Sequence, residues 1–171
     1  MGVVRAHVLA VADNLVEDQI SFRAFHFTPK LPPGMTVRSC TAVILAFDEL
    51  VEISKLSFGL SVDRQALGPC SGQYLDAQEW SCKGDLLVIG TEDGEALNLR
   101  FPRMDCEDEA VVSYTHKTLA LNLTAMPYLN RPSFHFIIAE NDNPEPVDAS
   151  AWFAVDQNHD YLVRQLAHDR A

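Results

Sequence analysis

The regular alternation of apolar and polar residues is the feature of this sequence that most narrows its fold. Apolar residues recur at every second position in several segments, such as Ile20-Phe22-Ala24, Val43-Leu45-Phe47, Phe58-Leu60-Val62 and Leu119-Leu121-Leu123. A period of two puts alternate side chains on opposite faces of a β-strand, whereas an α-helix needs a period of about 3.6. The pattern therefore predicts a mainly β protein.

Segments of this kind predict about eight or nine strands, of which residues 1–12 form the first. The run Leu86–Ile89 is followed by the polar residues 91–94, and Leu97, Leu99 and Phe101 then alternate with polar residues. The Asp93-Gly94 step supplies the positive φ that a tight turn needs, so this region predicts a β-hairpin. Gly68–Gly72, with its proline, predicts an exposed loop that contains Cys70.

The C-terminal segment combines two patterns. Trp152, Val155, His159, Leu162 and Leu166 follow one another at spacings of three and four, as one face of a helix requires. Residues 151–155 also suit a buried strand, and we favour a strand followed by a helix that begins after residue 156. The expected fold is a β-sandwich or barrel with a C-terminal α-helix. No stretch has the composition of a linker, so residues 1–171 are expected to form a single domain.

Composition excludes several classes of function. The 171 residues carry a formal net charge of -11, and 47% of them are hydrophobic. The acidic balance argues against nucleic-acid binding, which needs clustered Lys and Arg. An anionic membrane surface would repel this negative charge. No apolar run approaches the ~20 residues that span a bilayer. The four cysteines are scattered and include no C-x-x-C pair, so we expect reduced thiols in a soluble, cytoplasmic protein.

The histidines are the residues most able to form a metal site. None of the six stands at the short spacings typical of paired metal ligands. His26, His116 and His135 lie in or at the ends of predicted strands, and if they converged they would suit zinc or iron. The simpler interpretation, which we favour, is that each makes one hydrogen bond at a sheet edge or loop. We therefore predict neither a metal nor a cofactor.

Motifs for nucleophilic catalysis are also missing from the sequence. There is no G-x-S-x-G elbow and no S-x-x-K motif. Cys70 stands in the predicted exposed loop, but its activation would require a distant histidine. No catalytic residue is assigned, and the sequence favours a non-catalytic protein.

The acidic run Met104–Glu109 is the densest charge feature of the chain, with four acids in the five residues from Asp105. This run would make one electronegative surface with other acidic residues if their loops share one end of the sandwich, and electrostatic steering would then favour a basic partner. Those other residues are Glu92, Asp93, Glu95, Glu140 and Asp142. The function expected from the sequence is a non-catalytic acidic interaction domain that binds a basic protein and could inhibit or neutralise it. The residues expected to bind this partner are Asp105, Glu107, Asp108, Glu109, Glu140 and Asp142.

Two other functions remain compatible with the sequence. One is a small-molecule-binding β-barrel, because the aromatic residues of the strands could line a cavity as well as fill a core. The other is an enzyme that uses the strand histidines with or without a metal. A homodimer is compatible with each of these functions, since pairing would cover an exposed strand edge.

Overall fold

Ten strands and three helices make up the part of the chain that the computed structural model describes, which is residues 4–11, 19–63, 66–71, 75–82, 84–102, 111–142 and 149–168. The strands are β1 (Val4–Val11), β2 (Ile20–His26), β3 (Ser39–Phe47), β4 (Leu50–Val62), β5 (Ala66–Ser71), β6 (Leu75–Cys82), β7 (Asp85–Glu92), β8 (Val112–Tyr114), β9 (Thr118–Asn130) and β10 (Ser133–Asp142). The helices are α1 (Gly94–Arg100), α2 (Ser150–Val155) and α3 (His159–His168). Within these ranges, no helix has the length and apolar character needed to cross a membrane.

The strands form two open antiparallel sheets. One has the order β1-β4-β9-β8, and the other has the order β2-β3-β10-β7-β6-β5. Side chains from both sheets meet in one hydrophobic core, so the sheets pack face to face. This arrangement confirms the predicted mainly β fold with a C-terminal helix, in the form of a β-sandwich.

The inter-sheet core is built from the residues that face inward from each sheet. Aromatic rings lie at its centre: Phe58 of β4 meets Phe136 of β10 with ring centroids 5.1 Å apart, and Phe134 meets Phe47 at 6.5 Å. Both contacts have the edge-to-face geometry that aromatic pairs prefer. The inter-sheet core includes Val43, Leu45, Phe47, Phe58, Leu60, Trp80, Leu87, Ile89, Leu119, Leu121, Phe134 and Phe136.

A second apolar layer covers the outer face of the six-stranded sheet. The residues that alternate with the inter-sheet core point the other way, and α2 and α3 pack over them. This helix-side layer includes Cys40, Ala42, Ile44, Leu75, Ala77, Val88, Ile137, Ala139, Ala151, Ala154, Val155 and Leu162. The central strands are consequently buried on both faces, which is why β3 and β10 read as nearly continuous apolar runs.

The predicted return strand at residues 97–101 is wrong. Residues Gly94–Arg100 form α1, because the side chain of Asp93 caps the helix by accepting a hydrogen bond from the Ala96 amide at 2.8 Å. Aspartate before a first helical turn is a strong N-cap, and the same Asp-Gly pair is also a hairpin signal. Leu97 enters the inter-sheet core from the helix.

Two further local predictions are wrong. Residues 151–155 belong to α2 instead of a strand, and their buried side chains are Ala151, Ala154 and Val155. The spacing of three between Ala151 and Ala154 is helical, and the two alanines let the helix lie close to the sheet. The segment predicted as the Cys70 loop is largely β5, which pairs with β6 at the sheet edge.

Candidate metal-binding site

Three polar side chains are buried together at the edge of the helix-side layer. Glu92 ends β7, His135 lies on β10, and His159 is the first residue of α3. Their exposed fractions are 4%, 3% and 5%, respectively. We call these residues the Glu-His-His cluster.

Local structure explains why these three residues meet. The antiparallel register of β7 and β10 pairs Ile137 with Gly90. His135, two residues before Ile137, therefore lies beside Glu92, two residues after Gly90, and both side chains are on the same face of the sheet. The third member, His159, lies at the start of α3. The Asn158 side chain stabilises this helix start by accepting a hydrogen bond from the Asp160 amide at 2.9 Å. The cluster therefore joins residues that are distant in sequence.

The atoms of the cluster that could bind a metal lie close together. The two Nδ1 atoms of His135 and His159 are 2.9 Å apart, a hydrogen-bond distance. Glu92 Oε2 is 3.3 Å from His135 Nδ1 and 3.8 Å from His159 Nδ1. All three atoms lie within 4.8 Å of one another.

Two neighbouring residues hold the cluster from outside. The Arg100 Nη1 contacts both carboxylate oxygens of Glu92, and its Nη2 donates to the Ser133 carbonyl at 2.5 Å. The Ser133 hydroxyl lies 2.9 Å from His159 Nε2, the ring nitrogen that points away from His135. Glu92 and His159 are therefore each oriented by a polar partner that lies outside the cluster.

The environment keeps Glu92 ionised and His159 neutral at neutral pH. Burial of Glu92 opposes its ionisation, but the charge and hydrogen bond of His135, together with Arg100 and His159, outweigh that effect and lower its pKa to about 2. Burial, followed by the nearby charge of Arg100, lowers the pKa of His159 to about 3, although Glu92 acts in the opposite direction. A carboxylate and a neutral imidazole are the forms that bind metal ions.

A pocket of about 110 Å³ opens beside the cluster. Glu92, His135, His159 and Arg100 form its polar wall, together with residues 156–158 that connect α2 to α3. The apolar part of its wall consists of Leu75, Ala96, Leu99 and Val155. The cluster is thus buried within the protein but borders a space that a small molecule could enter.

The spacing of the three candidate ligand atoms is close to that of a transition-metal site. Bonds of about 2.0–2.2 Å to a tetrahedral Zn²⁺ separate neighbouring N and O ligand atoms by roughly 3.3–3.6 Å. The three distances in the cluster are 2.9, 3.3 and 3.8 Å, so one lies at the edge of that range and the other two lie just outside it. Two imidazole nitrogens and one carboxylate oxygen are a donor set that zinc and iron accept.

The three strand histidines considered from the sequence do not converge. His135 belongs to the cluster, but His26 is exposed on β2 and pairs with Thr41, with its Nδ1 3.0 Å from the threonine hydroxyl. The strand register places His26 on the opposite face of the sheet from His135. His116 is exposed in the turn between β8 and β9 of the other sheet. His26 therefore has the single hydrogen bond that the simpler interpretation predicted.

The structure locates only two of the acidic residues predicted to bind a partner. Asp105, Glu107, Asp108 and Glu109 lie outside the described residues. Glu140 and Asp142 lie at the end of β10, and Arg38 contacts both, at 3.7 and 3.2 Å, respectively. Arg38 also contacts Asp85 at 2.7 Å, so three carboxylates surround one guanidinium. The role of these acids in partner binding stays a prediction.

Glu92, His159 and Arg100 were not identified as site residues from the sequence. Glu92 stands among acidic residues expected in a loop, and Arg100 stands between apolar positions of the predicted return strand, so neither position indicates a buried site. One signal was available for His159, because it occupies an apolar position in the helical spacing at the C-terminal end. A histidine on the buried face of a helix needs a polar partner.

Comparison of the chain with protein-family models, curated proteins and solved structures found no match. The candidate site is therefore defined by the geometry, burial and charge of this chain alone. These properties point to the chemistry of metal ligation.

Proposed function

We propose that this protein binds a divalent transition-metal ion, with Zn²⁺ as the best fit, through Glu92 Oε2, His135 Nδ1 and His159 Nδ1. The observation that carries the proposal is the position of these three ligand atoms, buried and within 4.8 Å of one another at the wall of a pocket. A site with three protein ligands and an open side keeps one coordination position for water or a substrate. Such an ion can polarise a bound group or lower the pKa of a bound water.

The residues around the cluster support metal binding. Ligating histidines usually hold their second ring nitrogen with a polar partner, as Ser133 does for His159. Ligating carboxylates are usually hydrogen-bonded in turn, as Glu92 is by Arg100. Such outer partners fix the orientation of the ligands before the ion arrives.

A purely structural hydrogen-bond network is the competing explanation. In that case one of the two Nδ1 atoms carries a proton and donates it to the other, and the network has no further role. Metal binding would displace that proton. The two explanations therefore differ in whether the purified protein takes up a metal ion at this position.

Metal titration of the chelator-treated full chain tests the proposal. We expect one equivalent of Zn²⁺ or Co²⁺ to bind by calorimetry, and Co²⁺ to show the intense visible absorption of a tetrahedral site. Saturation at a hundred times Kd should stabilise the fold by about 2.7 kcal/mol. His159→Gln and Glu92→Gln should weaken binding by about tenfold or more, whereas the exposed-histidine control His26→Ala should not.

The outcome that would contradict metal binding is equally definite. If the native protein binds Co²⁺ no more tightly than folded His159→Gln, the cluster is a structural network. Circular dichroism of each metal-free variant identifies any that fail to fold. If one variant fails to fold, the other variant and the titration of the native protein decide the result.

An acidic interaction surface is a second candidate function. The three carboxylates around Arg38 exceed its single positive charge, so this end of β10 carries excess negative charge.

We expect charge reversal of Asp105, Glu107 and Asp108 to Lys to weaken capture of a basic protein partner without a change in melting temperature. The same reversal at Glu95 and Asp160, exposed on α1 and α3, is the control. Capture that survives the first set of changes would exclude this acidic segment as the contact.

A further inference from the structure

We infer that the pocket beside the Glu-His-His cluster takes a small monocarboxylate with a short apolar tail, of the size of acetate or propionate. The inference rests on the proposed function, because the carboxylate would occupy the open coordination position of the bound ion. Charge, hydrogen-bond donors and pocket dimensions each support this class of ligand.

Charge at the metal-loaded site favours a single negative charge on the ligand. Among the groups that line the pocket, the two positive charges of the ion and the one of Arg100 exceed by one the negative charges of Glu92 and Asp156. Asp93 acts on Asp156 but does not line the pocket. The positive end of the α3 dipole lies at His159 and acts in the same direction. A monovalent anion would therefore neutralise the site, whereas a second carboxylate on the ligand would meet Asp156.

Arg100 has hydrogen-bond donors left for a carboxylate. Its Nη1 serves Glu92, and one Nη2 proton serves the Ser133 carbonyl. The Nε proton and the second Nη2 proton have no hydrogen-bond partner among the described residues. A guanidinium presents donors in a planar fork that matches the two oxygens of a carboxylate.

The dimensions and lining of the pocket limit the remainder of the ligand. The pocket volume of about 110 Å³ is smaller than the roughly 150 Å³ of an apolar cavity that binds benzene. Leu75, Ala96, Leu99 and Val155 supply an apolar wall for a methyl or ethyl group. A small aliphatic acid therefore matches the volume of this pocket more closely than an aromatic acid does.

Ligand titration of the Co²⁺-loaded full chain tests the inference. We expect acetate and propionate to change the Co²⁺ absorption spectrum and to bind about tenfold or more tightly than acetamide, the neutral analogue, and malonate, the dicarboxylate. Ala96→Leu, which fills the apolar side of the pocket, should weaken acetate binding by about tenfold while the Co²⁺ affinity stays within about twofold. Glu95→Leu, an exposed change on the same helix, is the matched control and should leave both affinities unchanged.

Failure of this inference can be distinguished from failure of the proposed function. If Co²⁺ does not bind, both are overturned. If Co²⁺ binds but acetamide or malonate competes equally with acetate, the metal site stands and the monocarboxylate inference is wrong. The inference is also wrong if Ala96→Leu binds acetate as the native protein does, because the carboxylate must then bind outside this pocket.

Discussion

Glu92 shows how one buried residue depends on its neighbours. Its carboxylate is almost fully removed from water, yet its pKa lies at about 2 because His135, Arg100 and His159 together overcome the effect of burial. Removal of one partner from a buried ion pair leaves an uncompensated charge, whereas removal of both partners does not. The energetic role of Arg100 therefore depends on the presence of Glu92.

Replacement of Arg100 tests this dependence. We expect Arg100→Met to lower the free energy of unfolding by about 3 kcal/mol, measured by urea denaturation of the metal-free protein. The double variant Glu92→Met/Arg100→Met should lose less stability than Arg100→Met alone, because no buried charge remains. If the double variant lost as much stability as Glu92→Met and Arg100→Met lose together, the two residues would not be coupled.

The neutral state of His159 predicts a pH dependence of stability. Its pKa falls from 6.5 to about 3 on folding, so the unfolded chain binds a proton between these values that the folded chain does not. This difference does not lower the free energy of unfolding above pH 6.5. As the pH falls from 6.5 towards 3, it lowers the free energy of unfolding by at most about 1.4 kcal/mol per pH unit. Urea denaturation of the metal-free protein between pH 7.5 and about 4.5 should show this loss. The same series on His159→Gln should be flatter, and equal slopes would contradict the assignment.

At the scale of the elements, β7 and α2 approach each other closely at Gly90. A Cβ atom on Gly90 would lie 2.7 Å from Leu75 Cδ1 and 3.0 Å from Val155 Cβ. Val155 ends α2, after which the chain turns through residues 156–158 into the helix that carries His159. The space that glycine leaves at position 90 therefore fixes where this helical connection lies on the sheet.

Gly90→Ala should destabilise the protein by about 1–3 kcal/mol, because the added methyl group overpacks the contact between β7 and α2. Gly68→Ala is the matched control on β5, where nothing lies within 4 Å of an added Cβ, and it should change stability by less than about 0.5 kcal/mol. Denaturation midpoints of the two variants provide the measurement. Equal effects would mean that α2 shifts without cost.

Sequence patterns predicted the strands better than they predicted the helices and the site. Alternation identified β2, β3, β4 and β9 because a two-faced environment forces a period of two on each strand. Helices α1 and α2 were predicted as strands, since Asp93-Gly94 suits both a turn and a cap, and six apolar-rich residues fit either element. The Glu-His-His cluster could not be predicted, because its members meet only through the β7–β10 register and the path of the chain into α3.

At the scale of the whole molecule, the six-stranded sheet is shared by two hydrophobic layers. Phe58 belongs to the inter-sheet core and Leu162 to the helix-side layer, and both are fully buried. Residues of β10 alternate between the two layers, so neither layer can lose its packing without exposing the strand that serves the other. This coupling predicts that the chain unfolds as one unit.

Differential scanning calorimetry tests the predicted single domain. The metal-free protein should show one transition whose calorimetric and van't Hoff enthalpies agree. Phe58→Leu and Leu162→Ala should each shift that single transition to lower temperature, the latter at a cost of about 2–5 kcal/mol. A separate transition that responds only to Leu162→Ala would show that the helices and the sandwich unfold independently.

The sequence Phe134-His135-Phe136 on β10 places the two phenyl rings between the sheets and the imidazole beside Glu92. A slip of one residue in the pairing of β10 with β3 and β7 would exchange these faces, because side chains alternate along a strand. The imidazole would then enter an apolar core without a partner, and the carboxylate of Glu92 would face a phenyl ring. The polar cluster therefore penalises every odd misalignment of the central strand, and it would help to select one pairing during folding.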